Sequence, residues 1–488
     1  MLSVKPSQLV QAYGVLTILY QLYKYGPIGL LKLMYKSVAT SLIHGVKLLP
    51  NNPVKKQVND AIMDLRKSML LPVHAIKQLP EDPMELNQIK KKLSDYLAYD
   101  EDYTTGQMSG AIYHNISNVQ EAAQYAMTMF YSSNPLHPEI FKSIRQMEAE
   151  IVAMVSHLFH NTKGCGNVTS GGTESILLAC KAYRDIAHVR GIEHPEMIVP
   201  SSAHAAFSKA CHYFNITFVE IDCDENGQVR LDLVNKKVNK NTILIVGSAV
   251  NWPYGTMDDI TQLASLALKR NIYCHVDCCL GSFMLPFMEK LGYSIPPYDF
   301  RIPGVTSLSC DTHKYGLAPK GSSVILYKSS ELRSYQYYIT TDWSGGVYAT
   351  PLLGGSRPGA LISGCWAALL SLGNRGYMEA IEKIACSAHK CIQYIQQNPD
   401  LKLIGVPITC VFSFSMPNYD VFTLNDYLKS KHWHLNPLQN PNALHFACTH
   451  LTDPDLFIKD LEWSVQQFKK SGKKGIKGGS AAMYIIFI

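Results

Sequence analysis

A lysine follows a predicted β-strand in the middle of the chain. Residues 305–309 have the pattern of a buried strand, and the sequence DTHKY at residues 311–315 places Lys314 just after it. A lysine amine attacks a carbonyl group only when it is deprotonated, and the cations His313 and Lys320 favour that form by lowering the pKa of Lys314. An isolated lysine is usually a solvated surface residue. The position nevertheless predicts an amine that forms a Schiff base with an aldehyde.

A glycine pair stands where a helix is predicted to begin, in the sequence SGGTES at residues 170–175. Because Gly171 and Gly172 have no side chains, backbone N–H groups and the positive end of the helix dipole can approach a phosphate closely. The alternative interpretation is a tight turn, which is more common for a glycine pair considered alone. The segment therefore predicts a phosphate site only in combination with the others.

Two further segments carry residues that suit an aromatic cofactor. Asp277 ends the predicted strand 273–277, where its carboxylate can keep a pyridine nitrogen protonated. His204 lies among small residues at 202–207 and can stack on a flat heterocycle. The alternatives are an aspartate that caps a loop and a histidine of the core.

These four segments predict one site, because the carboxyl ends of parallel strands meet at the same edge of a sheet. An amine, a phosphate cradle, a carboxylate and a stacking ring are together the contacts that pyridoxal 5'-phosphate requires. We therefore predict an enzyme that uses this cofactor, with Lys314, Asp277 and His204 as its catalytic residues.

The elements that position these residues alternate between strands and helices, which is typical of an α/β fold. The predicted strands are residues 197–200, 217–221, 243–247, 273–277, 305–309 and 322–327, and the clearest helical patterns are 139–160 and 173–189. Residues 243–246 are all apolar, as in a strand of a parallel sheet that is covered on both faces.

We predict three regions along the chain. Residues 1–100 form a basic, apolar, helical N-terminal arm, residues 101–354 form the large cofactor-binding domain, and residues 355–488 form a smaller C-terminal α/β domain. The last of these has helical patterns at 376–396 and 455–470 around a strand at 409–415, and ends in a Lys/Gly connector at 472–479.

The N-terminal arm carries most of the charge asymmetry. Residues 1–59 contain seven lysines and no acid, whereas the net charge of the whole chain is +6. The uncharged stretch 6–23 includes three glutamines, which favours a helix lying on a membrane surface over one that crosses it. We predict attraction to an anionic membrane and no nucleic-acid binding. An arm that wraps a second subunit is an equally weighted alternative. Only 17% of the residues of the chain are charged, which is expected where surface is covered by a membrane or by a second subunit.

The arm shows no cleavable signal pattern, and its lack of arginine argues against a transit peptide. The 13 cysteines include no C-x-x-C pair, so we interpret them as reduced thiols of a cytosol-facing protein. Cys274, His275, Asp277 and Cys278 could in principle hold a metal, but their apolar surroundings indicate a buried strand, and we predict no metal site.

Four long sequence strings make the chain resemble the sphingosine-1-phosphate lyases, fold-type I pyridoxal-phosphate enzymes related to the group II decarboxylases. The strings are SNPLHP at residues 133–138, VTSGGTES at 168–175, DTHKYG at 311–316 and GSRPG at 355–359, and the resemblance covers residues 106–484. It implies a large domain built on a mainly parallel, seven-stranded sheet, a smaller C-terminal domain and an obligate homodimer with shared active sites.

The resemblance also implies the roles of individual residues. Lys314 would carry the cofactor, Asp277 would bind its pyridine nitrogen, and His204 would stack on its ring. The cofactor phosphate would be held by Gly172, Thr173 and His313, with Ser356 reaching in from the neighbouring subunit. The substrate phosphate would be held by Tyr113, Asn134, His137 and Lys320.

The implied reaction is retro-aldol cleavage of the C2–C3 bond of a phosphorylated long-chain base, which gives phosphoethanolamine and a fatty aldehyde in sphingolipid degradation. In a eukaryotic cell the implied location is the endoplasmic reticulum membrane. The chain departs from the family pattern in its apolar tail around Tyr484 and in lacking a clear transmembrane helix in the arm. A group II amino-acid decarboxylase and an inactive membrane-bound scaffold are the alternatives.

Overall fold

The computed structural model describes residues 76–417 and 419–471. The chain divides after Glu101 into two compact units. In the first unit, helix α1 (Leu86–Leu97) has Leu86, Ile89, Leu93 and Leu97 on one face, all exposed. The predictions for residues 1–75, including the membrane-surface helix, and for the tail with Tyr484 lie outside the described residues.

The second unit is built on a seven-stranded sheet, which confirms the predicted α/β fold. Its strands are β1 (Cys165–Thr169), β2 (Glu196–Pro200), β3 (Thr217–Ile221), β4 (Thr242–Ser248), β5 (Tyr273–Asp277), β6 (Ser307–Cys310) and β7 (Ser323–Tyr327). Their order in the sheet is β1-β7-β6-β5-β4-β2-β3. The pairs among β2 to β6 are parallel, and β7 is antiparallel to both β1 and β6.

The sheet is covered on both faces, as the apolar sequence of β4 predicts. Every residue of β4 is buried, and so is every residue of β1. The covering and connecting helices are α2 (Ser117–Met129), α3 (Lys142–Leu158), α4 (Gly172–Val189), α5 (Ala206–Phe214), α6 (Leu231–Lys237), α7 (Ile260–Lys269), α8 (Met284–Lys290) and α9 (Ser330–Ser334).

A second sheet lies within the predicted C-terminal region. Its strands are β10 (Lys402–Ile404), β11 (Val411–Ser415), β12 (Asn436–Leu438) and β13 (Ala443–Ala447). They lie in the order β10-β11-β13-β12, and every neighbouring pair is antiparallel. A two-stranded sheet, β8 (Tyr338–Thr340) with β9 (Tyr348–Thr350), precedes it in the chain. The helices of this region are α10 (Gly359–Gln397), interrupted at Gly373, α11 (Val421–Lys429) and α12 (Pro454–Lys470).

Most predicted strands match the structure to within two residues at either end, but β1 was not predicted. Its sequence, CGNVT, has one strongly apolar residue, so neither alternation nor an apolar run marks it. All 13 cysteines are free thiols. Across the described ranges, every helix is too short or too polar to cross a membrane.

Candidate active site

The site residues meet where strands β5 and β6 end and helix α4 begins. Asp277 is the last residue of β5, and Lys314 follows β6 by four residues. Gly172 opens α4 against this edge, since a Cβ atom there would lie 2.8 Å from both Asp311 Oδ1 and Cys279 Sγ. Only glycine allows the helix to approach the Lys314 segment so closely.

Lys314 forms an ion pair that sequence reasoning did not foresee. Its Nζ lies 2.8 Å from Oδ2 of Asp311, whose side chain is almost fully buried. Burial favours the neutral amine, but the carboxylate outweighs burial and raises the pKa of Lys314 above its ordinary value. The expectation of a lowered pKa is therefore wrong for Lys314 in this state, because the nearest charge is an anion.

His204 is held as a neutral ring. The backbone N–H of Ala206 donates to its Nδ1 at 3.1 Å, so the ring proton must be on Nε2. Burial lowers the pKa of His204, with a smaller opposing effect from Asp277. A neutral ring with one fixed tautomer is suited to lie against a heterocycle.

Asp277 is anchored through one of its two carboxylate oxygens. Both Cys279 N–H and Ser309 Oγ donate to Oδ1 at 3.1 Å, and the residue is buried. Oδ2 is therefore the oxygen left to accept a hydrogen bond from a ring N–H.

The residues predicted to hold the cofactor phosphate include His313 and, at the start of α4, Gly172 and Thr173. His313 Nε2 lies 3.8 Å from Asp311 Oδ2, and burial lowers the pKa of His313. His313 Nδ1 and Asp311 Oδ1 are buried without a protein hydrogen-bond partner within the described structure. A Cβ atom on Gly171 would meet only His313 Cε1, at 3.6 Å. Of Nδ1 and Oδ1, only the His313 nitrogen can donate to a phosphate, and its position beside a glycine-lined helix start fits a phosphorylated cofactor.

A cavity of about 530 Å³ adjoins the start of α4. Of the predicted site residues, Thr173 and Ser356 line it, together with Arg357. Arg357 forms a bidentate ion pair with Glu148, at 2.9 Å for both hydrogen bonds. The quoted motif GSRPG contains this arginine, but its partner lies far away in the chain and could not be found from the sequence.

A second cavity, of about 250 Å³, brings Tyr113 and Lys320 together with His313. Lys320 Nζ lies 4.5 Å from the centroid of the Tyr113 ring. Burial, with a further contribution from Lys314, lowers the pKa of Lys320 to about 8. Sequence reasoning missed His114, which also lines this cavity.

The other two predicted phosphate ligands lie elsewhere in the same chain. Asn134 Nδ2 donates to Ser356 Oγ at 3.1 Å, and Asn134 Oδ1 accepts from the N–H of Arg357 at 3.2 Å. His137 is half exposed, with Nδ1 3.8 Å from Glu139 Oε1. The structure thus pairs Asn134 with Ser356, and Lys320 with Tyr113.

Comparisons with known proteins show the family of the chain. The pyridoxal-dependent decarboxylase conserved domain matches residues 78–416. The chain is 42% identical to "Sphingosine-1-phosphate lyase" of Saccharomyces cerevisiae over 95% of this chain and 82% of the relative.

Two solved structures extend the comparison. One of a Burkholderia pseudomallei sphingosine-1-phosphate lyase has a TM-score of 0.79 at 39% identity and covers 82% of this chain and 95% of that chain. Glutamate decarboxylase of Lactobacillus brevis has a TM-score of 0.70 at 20% identity and covers 82% and 96% of the two chains, which shows the shared fold alone. The chain therefore belongs to the pyridoxal-dependent decarboxylase family and, within it, to the sphingosine-1-phosphate lyases.

Proposed function

We propose that this chain cleaves the C2–C3 bond of phosphorylated long-chain bases, with pyridoxal 5'-phosphate as its cofactor. The products are phosphoethanolamine and a fatty aldehyde. The observation that carries the proposal is the cation Lys320, whose Nζ lies over the Tyr113 ring in a cavity that His313 also lines. An ammonium next to the cofactor site suits a phosphate on the substrate.

The chemistry divides between the cofactor and the residues around it. When bound, the cofactor supplies an electron sink for the pair of electrons released by the breaking C2–C3 bond. Lys314 would provide the amine that holds the cofactor, and Asp277 would hold the ring nitrogen. His204 would cover the ring, and its single N–H, on Nε2, is free of the backbone contact that fixes Nδ1.

Proton movement balances the reaction. A base takes the proton of the C3 hydroxyl as C3 becomes the aldehyde carbon, and an acid gives a proton to C2 after the bond has broken. We assign the second transfer to Nζ of Lys314, because Asp311 at 2.8 Å keeps that amine charged. Gly172, Thr173 and His313 are assigned to the cofactor phosphate.

We propose that the active enzyme is a homodimer in which each site takes residues from both chains. The support is the hydrogen bond between Asn134 and Ser356, because Ser356 is the residue expected to enter the neighbouring site. Asn134 is fixed to the same segment, so it would enter with Ser356. The substrate phosphate would then be held by Tyr113 and Lys320 of one chain and by Asn134 and His137 of the other.

We also propose that the basic arm binds the cytosol-facing surface of a membrane, which in a eukaryotic cell would be the endoplasmic reticulum. The seven lysines of residues 1–59 support this. Deleting residues 1–50 should move the protein from anionic vesicles to the supernatant in a sedimentation assay while cofactor binding persists. If the full-length protein already stays wholly in the supernatant, the membrane proposal fails.

One substrate comparison tests the function. The purified holoenzyme is incubated separately with dihydrosphingosine 1-phosphate and with aromatic amino acids, with Lys314→Ala as the inactive control. Release of aldehyde from the first substrate supports the lyase. Release of carbon dioxide from the second would support the decarboxylase alternative, and no product from either would support the scaffold.

A further inference from the structure

A row of buried polar side chains runs through the sheet and ends at Asp277. Tyr183 on α4 donates to Ser307 Oγ on β6 at 2.7 Å, and Ser307 Oγ lies 2.7 Å from Nδ1 of His275 on β5. His275 Nε2 lies 3.3 Å from Ser309 Oγ, which in turn donates to Asp277 Oδ1 at 3.1 Å. We refer to these four side chains before Asp277 as the buried hydrogen-bond row. All four are completely buried.

The geometry fixes where each proton lies. Ser309 has one hydroxyl proton, and the carboxylate of Asp277 can only accept, so that proton points to Asp277. Ser309 Oγ must then accept from His275, which puts the ring proton on Nε2. With the opposite tautomer, Ser309 would donate to His275 and turn its oxygen lone pairs toward a carboxylate at 3.1 Å, which is repulsive.

The hydrogen bonds on the far side of His275 from Asp277 have the same donor-to-acceptor direction. His275 Nδ1 has no proton in this tautomer, so Ser307 donates to it and can accept from Tyr183. The Tyr183 hydroxyl is also 2.7 Å from Thr306 Oγ1. Burial lowers the pKa of His275 to about 4, with Asp277 opposing, so the ring is neutral at neutral pH. Every hydrogen in the row therefore points toward Asp277.

We propose that the buried hydrogen-bond row positions Asp277 for the cofactor. Its last hydrogen bond, from Ser309, restrains Oδ1 and leaves Oδ2 to accept a hydrogen bond from the cofactor ring nitrogen. This inference rests on the proposed function in one respect, the assignment of Asp277 to that nitrogen. Tyr183, Ser307, His275 and Ser309 are positioning residues, because they act through Asp277 and not on the substrate.

The composition of the strands supports the proposal. Buried hydroxyl and imidazole groups cost free energy unless they are hydrogen-bonded, and β4 in the same sheet has isoleucine, leucine and valine at its centre. Aligned hydrogen bonds polarise one another and strengthen the last bond, the one to the carboxylate. A row that only filled space would not need its donors aligned.

The first test reads the tautomer of His275 directly. In protein labelled with ¹⁵N-histidine, the resonances of His275 are identified by their absence in His275→Phe. We expect a protonated Nε2 and an unprotonated Nδ1 in the cofactor-free protein, with no titration between pH 6 and 8 because the pKa is about 4. In Ser309→Ala the hydroxyl that accepts from His275 Nε2 is absent, so the tautomer of His275 with its proton on Nδ1 should become populated. A proton on Nδ1 in the unmodified protein would overturn the proposal.

The second test measures the dissociation constant of pyridoxal 5'-phosphate. Ser309→Ala and His275→Phe should weaken binding by roughly tenfold or more, because a hydrogen bond to a charged group is lost or weakened. Tyr183→Phe, two links further away, should weaken it by about threefold. The matched controls are Ser413→Ala and Tyr327→Phe, which remove buried hydroxyls that have no protein hydrogen-bond partner in the described part of the chain. They should leave the constant unchanged.

The outcomes separate this inference from the proposed function. Thermal unfolding of the cofactor-free variants measures any general loss of stability, and only a weakening of cofactor binding that exceeds it is assigned to the row. If the unmodified protein binds the cofactor, and the loss of affinity falls from Ser309→Ala and His275→Phe to Tyr183→Phe, the inference stands even if no aldehyde is released. If aldehyde is released but all variants bind the cofactor normally, the inference is wrong and the proposed function stands.

Discussion

Lys314 Nζ and Asp311 Oδ2 lie 2.8 Å apart, and Asp311 is the nearest anion to the amine that holds the cofactor. The pair raises the pKa of Lys314 and, against burial, lowers that of Asp311. In the cofactor-free protein, the stabilisation therefore exists at neutral pH. It is lost as the pH rises through the raised pKa of Lys314, or falls through the lowered pKa of Asp311.

Replacing Asp311 by Asn should destabilise the cofactor-free protein at pH 7 by about 3 kcal/mol, because it leaves a buried ammonium without its partner. Urea unfolding measures this change. Asp95→Asn is the control, since Lys91 and Asp95 form an exposed pair whose loss should cost below about 0.5 kcal/mol. An equal change in the free energy of unfolding for the two substitutions would show that the Lys314–Asp311 pair stabilises the protein no more than an exposed pair.

Lys320→Ala should lower kcat/KM for a phosphorylated long-chain base by roughly one to two orders of magnitude, because a charge-assisted contact to phosphate is lost. The loss should be much smaller for the same base without its phosphate, which never makes the contact. The exposed lysine Lys328, changed to Ala, is the control. An equal fall in kcat/KM for both substrates, or loss of cofactor absorbance, would mean that Lys320 binds the cofactor or stabilises the fold.

The same lysine predicts a pH dependence. Burial lowers the pKa of Lys320 to about 8, so its positive charge is lost as the pH rises through that value. For the phosphorylated base, kcat/KM should therefore fall above about pH 8. Lys320→Arg keeps its charge at these pH values and should remove this decline. A decline that persists in Lys320→Arg would assign it to another group.

Mixed dimers test whether Asn134 acts across the subunit interface. Lys314→Ala in one chain and Asn134→Ala in the other leave one intact site if Asn134 serves the partner's Lys314. Such heterodimers, purified through two different tags, should recover about half of the unmodified turnover per dimer, because one of the two sites is complete. If Asn134 serves its own chain, both sites stay defective and no activity returns.

Arg357→Lys should weaken cofactor binding several-fold without unfolding the protein. Arg357 anchors the segment of Ser356 through two hydrogen bonds to Glu148, and lysine cannot form that bidentate pair. Titration with pyridoxal 5'-phosphate measures the effect. Arg375→Lys is the control, because Arg375 is almost fully exposed and its ion pair is with Glu379, four residues away on the same helix. Unchanged binding in Arg357→Lys would show that the segment is fixed by other contacts.

The sequence by itself determined the α/β fold, the family and the elements around the cofactor. The strand that ends at Asp277 and the strand before Lys314 are marked by local β-patterns, and the helix after Gly172 is marked by its glycine pair. Such signals are local, so they can be found along one stretch of chain. Strand β1 has no such signal, because the flanking strand and helices bury it whatever its polarity.

Only the tertiary structure decided the pKa values of the site lysines and which of the site residues contact one another. The sequence suggested that cations lower the pKa of Lys314, yet folding places Asp311 nearest to Lys314 and lowers the pKa of Lys320 instead. Asn134 and Ser356 are 222 residues apart in the chain and hydrogen-bonded in the fold. A charge acts over a few ångströms in a dry interior, so pKa values and contacts depend on which distant residues the fold brings together, and sequence spacing does not record that.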